Sequence, residues 1–183
     1  MKKSLTYYLT TAAILLAMAV LLPMFFHMFG AGNQFLPMHI PALLAGFMLP
    51  APYAVLCGAL MPALSSMLTG MPVVFPMLPL MVVELAVYAL CASIFYRKLG
   101  WNVYLALLGA MGVGRIAAGV MSYLLVGLFA AQFPAVGIAY IGQIIVTGVI
   151  GIVIQIVVLP PLVLLLKKGG LLNTGLNGAR GAR

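Results

Sequence analysis

The chain has 183 residues, of which 66% are hydrophobic and only 5% are charged; nine are Lys or Arg and one is acidic. A soluble domain carries about 25% charged residues, so this composition excludes an ordinary globular protein and indicates a multi-pass membrane protein. Basic patches on a soluble face, which are typical of nucleic-acid-binding proteins, are missing from the sequence. We therefore expect the lipid bilayer, and no nucleic acid, among its partners.

Six apolar segments are predicted along the chain. A helix of about 20 apolar residues crosses the roughly 30 Å of hydrocarbon in a bilayer, and most of the segments reach that length. The first is read as an uncleaved helix, because its apolar run is longer than that of a signal peptide. The predicted segments are 6–26, 38–48, 53–68, 80–96, 101–129 and 136–166.

Loops and prolines separate the first four segments. The Gly- and Asn-containing loop HMFGAGNQF carries no Lys or Arg and is predicted to lie outside the cell. The second segment is too short to span the membrane upright, and Pro50 and Pro52 end it. The stretch TGMPVVFPMLP is predicted to be an outer loop or re-entrant cap, since Pro72, Pro76 and Pro79 there disfavour a regular helix.

The basic residues predict the orientation. Cytoplasmic loops are enriched in Lys and Arg, and all basic residues except Arg115 lie at segment ends. The sequence thus predicts an all-α integral membrane protein with six transmembrane helices and both termini in the cytoplasm. Residues 1–168 would form a single six-helix membrane domain, and residues 169–183 a Gly-rich, basic cytoplasmic tail.

Glu84 is the only acidic residue of the chain, and it lies within the fourth apolar segment. At 1.5 Å per residue it lies about 20 Å from Arg97, and Arg115 lies about 21 Å beyond Trp101 on the next helix. The two charges inside the membrane are therefore at matching depth, where unpaired ionisable groups are unfavourable. Two interpretations remain open: an ion pair that only clamps two helices, or charges that line a solute pocket.

Other polar residues converge on the outer half of the predicted bundle. Gly112 and Gly119 lie on the same helical stripe as Arg115, which leaves space beside the guanidinium or allows close packing. Gln155 is predicted at a similar depth. A pocket for a polar solute needs a few placed polar groups in an apolar wall. The candidate substrate-binding residues are Asn33, His39, Glu84, Tyr88, Arg115, Tyr140 and Gln143.

His39 begins the second segment, just after Asn33 and Gln34. It is predicted to lie at the outer surface, either as an interfacial histidine exposed to water or as a lid or rim contact of the pocket. We expect no metal site, because His27 and His39 have no Cys or carboxylate beside them at ligand spacing. Cys57 and Cys91 are predicted to be packing residues, and no cofactor is expected.

Nearly the whole chain resembles the substrate-binding S components of energy-coupling factor (ECF) vitamin transporters. The resemblance rests on IPALLAGFMLPAPYAVLCGALMPALSSMLTGMP, followed by ELAVYALCASIFYRK, and on an N-terminal helix with Ala13 and Ala17 in an Ala-x-x-x-Ala pattern. It implies a prokaryotic plasma-membrane receptor for a water-soluble vitamin or related micronutrient. It also implies partners: an energy-coupling transmembrane subunit, on which Ala13 and Ala17 would dock, and two cytoplasmic ATPases.

The solute and three rival classes stay open at this point: a channel or carrier, an intramembrane enzyme, and a structural or assembly subunit that binds no small molecule. Arg115 suits a carboxylate such as that of pantothenate, whereas a neutral ring such as pyridoxine or a hydroxymethylpyrimidine fits better if Glu84 already neutralises the guanidinium. A self-contained channel or proton-coupled carrier would use Glu84 as its titrating group. An intramembrane enzyme is disfavoured, because Ser65 and Ser66 lack a predicted base and Glu84 is the sole carboxylate, so we expect no catalytic residues.

Overall fold

A computed structural model describes residues 3–28, 36–129 and 138–172, with the side chains of the last helix described from Gly151 onward. Over these ranges the regular structure consists of helices only, which confirms the predicted all-helical class. A wider π-helical stretch, Ser93–Lys98, extends the fourth helix. The helices are α1 (Leu5–Met28), α2 (His39–Met48), α3 (Ala51–Thr69), α4 (Met77–Ala92), α5 (Val103–Phe129) and α6 (Ile138–Lys168).

Five of these helices are long and apolar enough to cross a membrane, and α2 is the exception. With ten residues, α2 is about 15 Å long, half the thickness of the hydrocarbon core. It is also enclosed, since every residue from Pro41 to Phe47 is buried by other helices. A helix without a polar face is stable when it is surrounded on all sides, and α2 is such an internal helix.

Helix α4 is the centre of the bundle, and glycines let three other helices approach it closely. A methyl group at Gly46 of α2 would lie 2.5 Å from the Cβ of Ala92, and one at Gly58 of α3 would lie 2.5 Å from the carbonyl oxygen of Leu85. A methyl group at Gly114 of α5 would overlap a ring carried by α4. Small residues favour such close contacts where helices lack a hydrophobic drive to associate.

The α3–α4 connection differs from the prediction at one boundary. Helix α4 begins at Met77, so Pro79 lies inside its first turn, where no backbone N–H donor is required and proline is tolerated. The loop before it is held by α3: Ser65 Oγ donates to the Met71 carbonyl and Ser66 Oγ to the Pro72 carbonyl, both at 2.7 Å. The two serines considered as nucleophiles therefore stabilise a loop.

The two ends of the described chain meet at one end of the bundle. Lys3 Nζ donates to the Gly170 carbonyl oxygen at 2.8 Å, and the Tyr7 hydroxyl donates to the Leu171 carbonyl oxygen at 2.6 Å. Since α1 starts where α6 ends, Lys167 and Lys168 lie at this end as well.

The same end contains the α2–α3 and α4–α5 turns. Arg97 Nη1 donates to the Met48 carbonyl at 2.6 Å and Ser93 Oγ to the Leu49 carbonyl at 2.9 Å. One guanidinium and one hydroxyl thus pair with backbone carbonyls at the carboxyl end of α2. The rings of Tyr8 and Tyr53 stack with centroids 5.7 Å apart, which joins this region to α1. We call this region the basic end; its cations are Lys3, Arg97, Lys98, Lys167 and Lys168.

Candidate functional site

The predicted pairing of the two intramembrane charges is present. Arg115 Nη1 of α5 lies 3.0 Å from Glu84 Oε1 of α4, and the Glu84 side chain is only 3% exposed. Their matching depth follows from antiparallel helices joined by a short turn at the basic end. Because removing one partner of a buried ion pair leaves an uncompensated charge, these two side chains depend on each other.

His39 joins this pair from α2, and its predicted exposure is wrong. The histidine is 2% exposed, and its Nε2 lies 3.5 Å from the same Oε1 atom of Glu84. The sequence placed His39 at the surface because Asn33 and Gln34 precede it. In the structure the whole of α2 lies inside the bundle, and its first residue is therefore carried in against α4.

Tyr88 completes the group from α4, one turn beyond Glu84, at the i+4 spacing that places two side chains on one face. It is fully buried, and its ring meets the His39 ring edge to face with centroids 5.5 Å apart. Gly114 of α5 packs directly on the Tyr88 ring. We call His39, Glu84, Tyr88 and Arg115 the polar cluster.

The structure adds Gln155 of α6, which is not among the predicted substrate-binding residues. It is fully buried among the described residues, and no described group hydrogen-bonds to its amide. One turn earlier on α6, a methyl group at Gly151 would meet the Leu36 side chain at 2.8 Å, and the Leu36 carbonyl accepts a hydrogen bond from the His39 backbone N–H. Gln155 therefore lies on the face of α6 that is turned toward the start of α2.

Many polar atoms of this region have no hydrogen-bond partner among the described residues. They are Oε1 of Glu84, both ring nitrogens of His39, the Tyr88 hydroxyl, Nε and Nη2 of Arg115, and both amide atoms of Gln155. Leaving a buried donor or acceptor unpaired costs about 1–3 kcal/mol, more when it is charged. Such a concentration of unpaired groups favours a site that an outside molecule completes.

The structure describes only some of the remaining predicted residues. The side chains of Asn33, Tyr140 and Gln143 lie outside the described residues. A methyl group at Gly112 or Gly119 would meet open space, which agrees with the predicted space beside the guanidinium and not with close packing. Gly114, outside that stripe, makes the close contact with α4.

The proposed docking residues of α1 face outward. Ala13 and Ala17 are both exposed, and the large apolar side chains of Ile14 and Leu21 are exposed beside them. The other side of α1 packs into the bundle through Leu15 and residues near it. Among the described residues the small-residue pattern is therefore not packed against another helix of this chain, and it is available to a second protein.

One comparison with known proteins identifies the chain. The family model described as the substrate-specific component of ECF transporters matches residues 7–163. The chain belongs to this family. Searches of curated proteins and of solved structures gave no match. Membership makes the protein a membrane-embedded component of a transporter, a class that binds small substrates and works with energy-coupling subunits and ATPases, and it is not a known enzyme family.

Proposed function

We propose that this S component captures a water-soluble vitamin or related micronutrient at the polar cluster and delivers it for ATP-driven uptake. The observation that carries the proposal is the set of buried, unpartnered polar atoms on His39, Tyr88, Arg115 and Gln155. A few placed polar groups inside an apolar wall are the usual composition of a small-molecule site. An ion pair that only clamps two helices would need the contact between Glu84 and Arg115 alone. It would not explain why the other buried polar atoms lack described partners.

The proposed orientation places the basic end in the cytoplasm, following the enrichment of Lys and Arg in cytoplasmic loops. Glu84 lies about 20 Å from Arg97 along α4, so the polar cluster then lies in the outer half of the bundle, on the side from which a solute would be captured. With α2 counted as the second of six membrane segments, both termini are cytoplasmic. We propose a prokaryotic plasma membrane as its location, as the resemblance to ECF S components implies.

We propose that other subunits supply the energy. The chain contains no GxxxxGK[ST] motif, the backbone loop that holds nucleotide phosphates in P-loop ATPases. The proposed partners are an energy-coupling transmembrane subunit and two cytoplasmic ATPases. The exposed Ala13 and Ala17 face is the proposed contact with the coupling subunit, because small residues let a second helix approach closely.

The first test is native mass spectrometry of protein freshly extracted from cells, followed by thermal-shift assays with a panel of water-soluble vitamins. We expect a defined adduct in the vitamin mass range and one vitamin that raises the melting temperature. Absence of both would contradict a receptor.

A second test measures uptake into liposomes. We expect transport only with the coupling subunit, both ATPases and ATP. Uptake by this chain alone without ATP would instead identify a channel or proton-coupled carrier.

The docking proposal is tested by enlarging the α1 face. Ala13→Leu combined with Ala17→Leu should abolish co-purification with the coupling subunit and leave solute binding unchanged. Gly119→Leu is the matched control, since it enlarges an exposed position on α5 where a side chain meets open space. Equal loss of the complex in both variants would contradict the proposal that α1 contacts the coupling subunit.

A further inference from the structure

The way Glu84 contacts Arg115 determines which part of the guanidinium is left for a solute. Resting on the function proposed above, we propose that the solute carries a single carboxylate, which binds the Nε–Nη2 edge of Arg115. Charge alone favours a neutral solute once Glu84 neutralises Arg115. The atoms involved lead to a different conclusion.

Glu84 occupies only one nitrogen of the guanidinium. Its Oε1 lies 3.0 Å from Nη1, whereas Nε and Nη2 are buried and have no hydrogen-bond partner among the described residues. A guanidinium keeps its charge in proteins and has no acceptor atoms, so these N–H groups are satisfied only by acceptors. The Nε–H and one Nη2–H point in parallel along one edge, and two parallel donors match the two oxygens of a carboxylate.

The Glu84 carboxylate does not reach the free edge of Arg115. Its Oε1 atom contacts both Arg115 Nη1, at 3.0 Å, and His39 Nε2, at 3.5 Å, so the same carboxylate oxygen is shared by two residues. Glu84 is the only acidic side chain in the 183 residues, so no second Asp or Glu is available for the free edge of Arg115, and we assign that edge to a carboxylate of the solute.

The surrounding groups suit the rest of such a molecule. The Tyr88 hydroxyl and the Gln155 amide are neutral, buried and unpartnered among the described residues, and both donate and accept hydrogen bonds. They would bind hydroxyl, amide or ring-nitrogen groups of the solute. The inferred class is a small monocarboxylate with further neutral polar groups.

The first experiment identifies the acid group without assuming which solute is bound. The small molecule is extracted from freshly purified protein, heated in acidic methanol, and weighed by mass spectrometry before and after. We expect the mass increase of one methyl ester. A solute that forms no ester would overturn the carboxylate and leave the receptor function in place. No solute, together with no response to any vitamin, would overturn both.

The second experiment compares acids with their neutral analogues: nicotinate with nicotinamide, pantothenate with pantothenol, and biotin with biotinamide. Binding is measured calorimetrically on the detergent-purified wild type. In the pair that binds, we expect the acid to bind about tenfold to a hundredfold tighter, the range of a charge-assisted hydrogen bond. Equal or tighter binding of the neutral analogue would overturn the inference.

Variants separate this role from a structural one. Arg115→Lys keeps the charge but loses the parallel donors, so the preference for the acid should fall toward one, whereas Arg97→Lys at the basic end should leave it unchanged. Glu84→Gln removes the competing negative charge, so the preference should rise. A Glu84→Gln protein that stays folded with a lower or unchanged preference would show that Arg115 does not bind the carboxylate.

Discussion

The basic end and the polar cluster use similar side chains in opposite ways. At the basic end, Arg97 donates to the Met48 carbonyl and Tyr7 to the Leu171 carbonyl. In the polar cluster, two buried nitrogens of Arg115 have no hydrogen-bond partner among the described residues. The Tyr88 hydroxyl has none there either. A group whose hydrogen bonds are complete stabilises the fold it belongs to. A buried group whose bonds are incomplete lowers stability until something binds to it.

The largest effect that distinguishes the two regions should come from truncating their arginines. Arg115→Ala leaves Glu84 buried without its cation, and we expect a loss of about 3–5 kcal/mol in the free energy of unfolding. Arg97→Ala removes one charge-assisted hydrogen bond at the surface, with an expected loss of about 1.5–3 kcal/mol. Chemical unfolding of both purified variants measures the difference. Equal losses would remove the distinction between the two arginines.

The next effect concerns the packing of α5 on α4. Gly114→Ala adds a methyl group that overlaps the Tyr88 ring, and overpacking of this kind costs about 1–3 kcal/mol. We expect a lower melting temperature and weaker solute binding.

Gly112→Ala is the matched control for this packing effect, on the same helix with open space at the site. Alanine has the higher helix propensity there, by up to about 1 kcal/mol. The control should therefore be neutral or slightly stabilising. A similar loss in both variants would locate the effect in the helix and not in the contact with Tyr88.

A pair of tyrosine variants should differ in sign. Tyr88→Phe removes a buried hydroxyl without a described partner, so the unliganded protein should be unchanged or up to about 1 kcal/mol more stable, while solute affinity falls. Tyr7→Phe removes a hydrogen bond to Leu171, with an expected loss of about 0.5–1.5 kcal/mol and no change in affinity. Thermal unfolding and calorimetric binding measure both. Destabilisation by Tyr88→Phe would indicate that its hydroxyl already has a partner.

The smallest effect should come from the exposed contact between the chain ends. Lys3→Ala removes a surface hydrogen bond to Gly170 and a cation–π contact with the Tyr7 ring, 4.0 Å from Nζ to the centroid. Exposed contacts of the latter kind contribute about 0.5–1 kcal/mol. We expect a small decrease in melting temperature and wild-type solute affinity. Loss of affinity would mean that the basic end is coupled to the polar cluster.

The sequence by itself determined the fold class and the matching depth of Glu84 and Arg115. Apolar length is dictated by the bilayer, and a rise of 1.5 Å per residue on two antiparallel neighbouring helices places the two residues at equal depth. Whether their side chains face each other depends on helix rotation. Helix ends were also close, with the start of α4 missed at Pro79 because proline is excluded from helix interiors and not from first turns.

Only the tertiary structure decided which side chains share a face. It buried His39, because α2 lies inside the bundle although its flanking residues are polar. It placed Gly114 in the close contact with α4 and left open space at Gly112 and Gly119, because the rotation of α5 depends on contacts with α4. It also gave Arg97 and Arg115 different roles. The number of hydrogen bonds that each guanidinium makes depends on neighbours distant in the chain. Periodicity and depth carry no information about helix rotation, and rotation is what assembles the polar cluster.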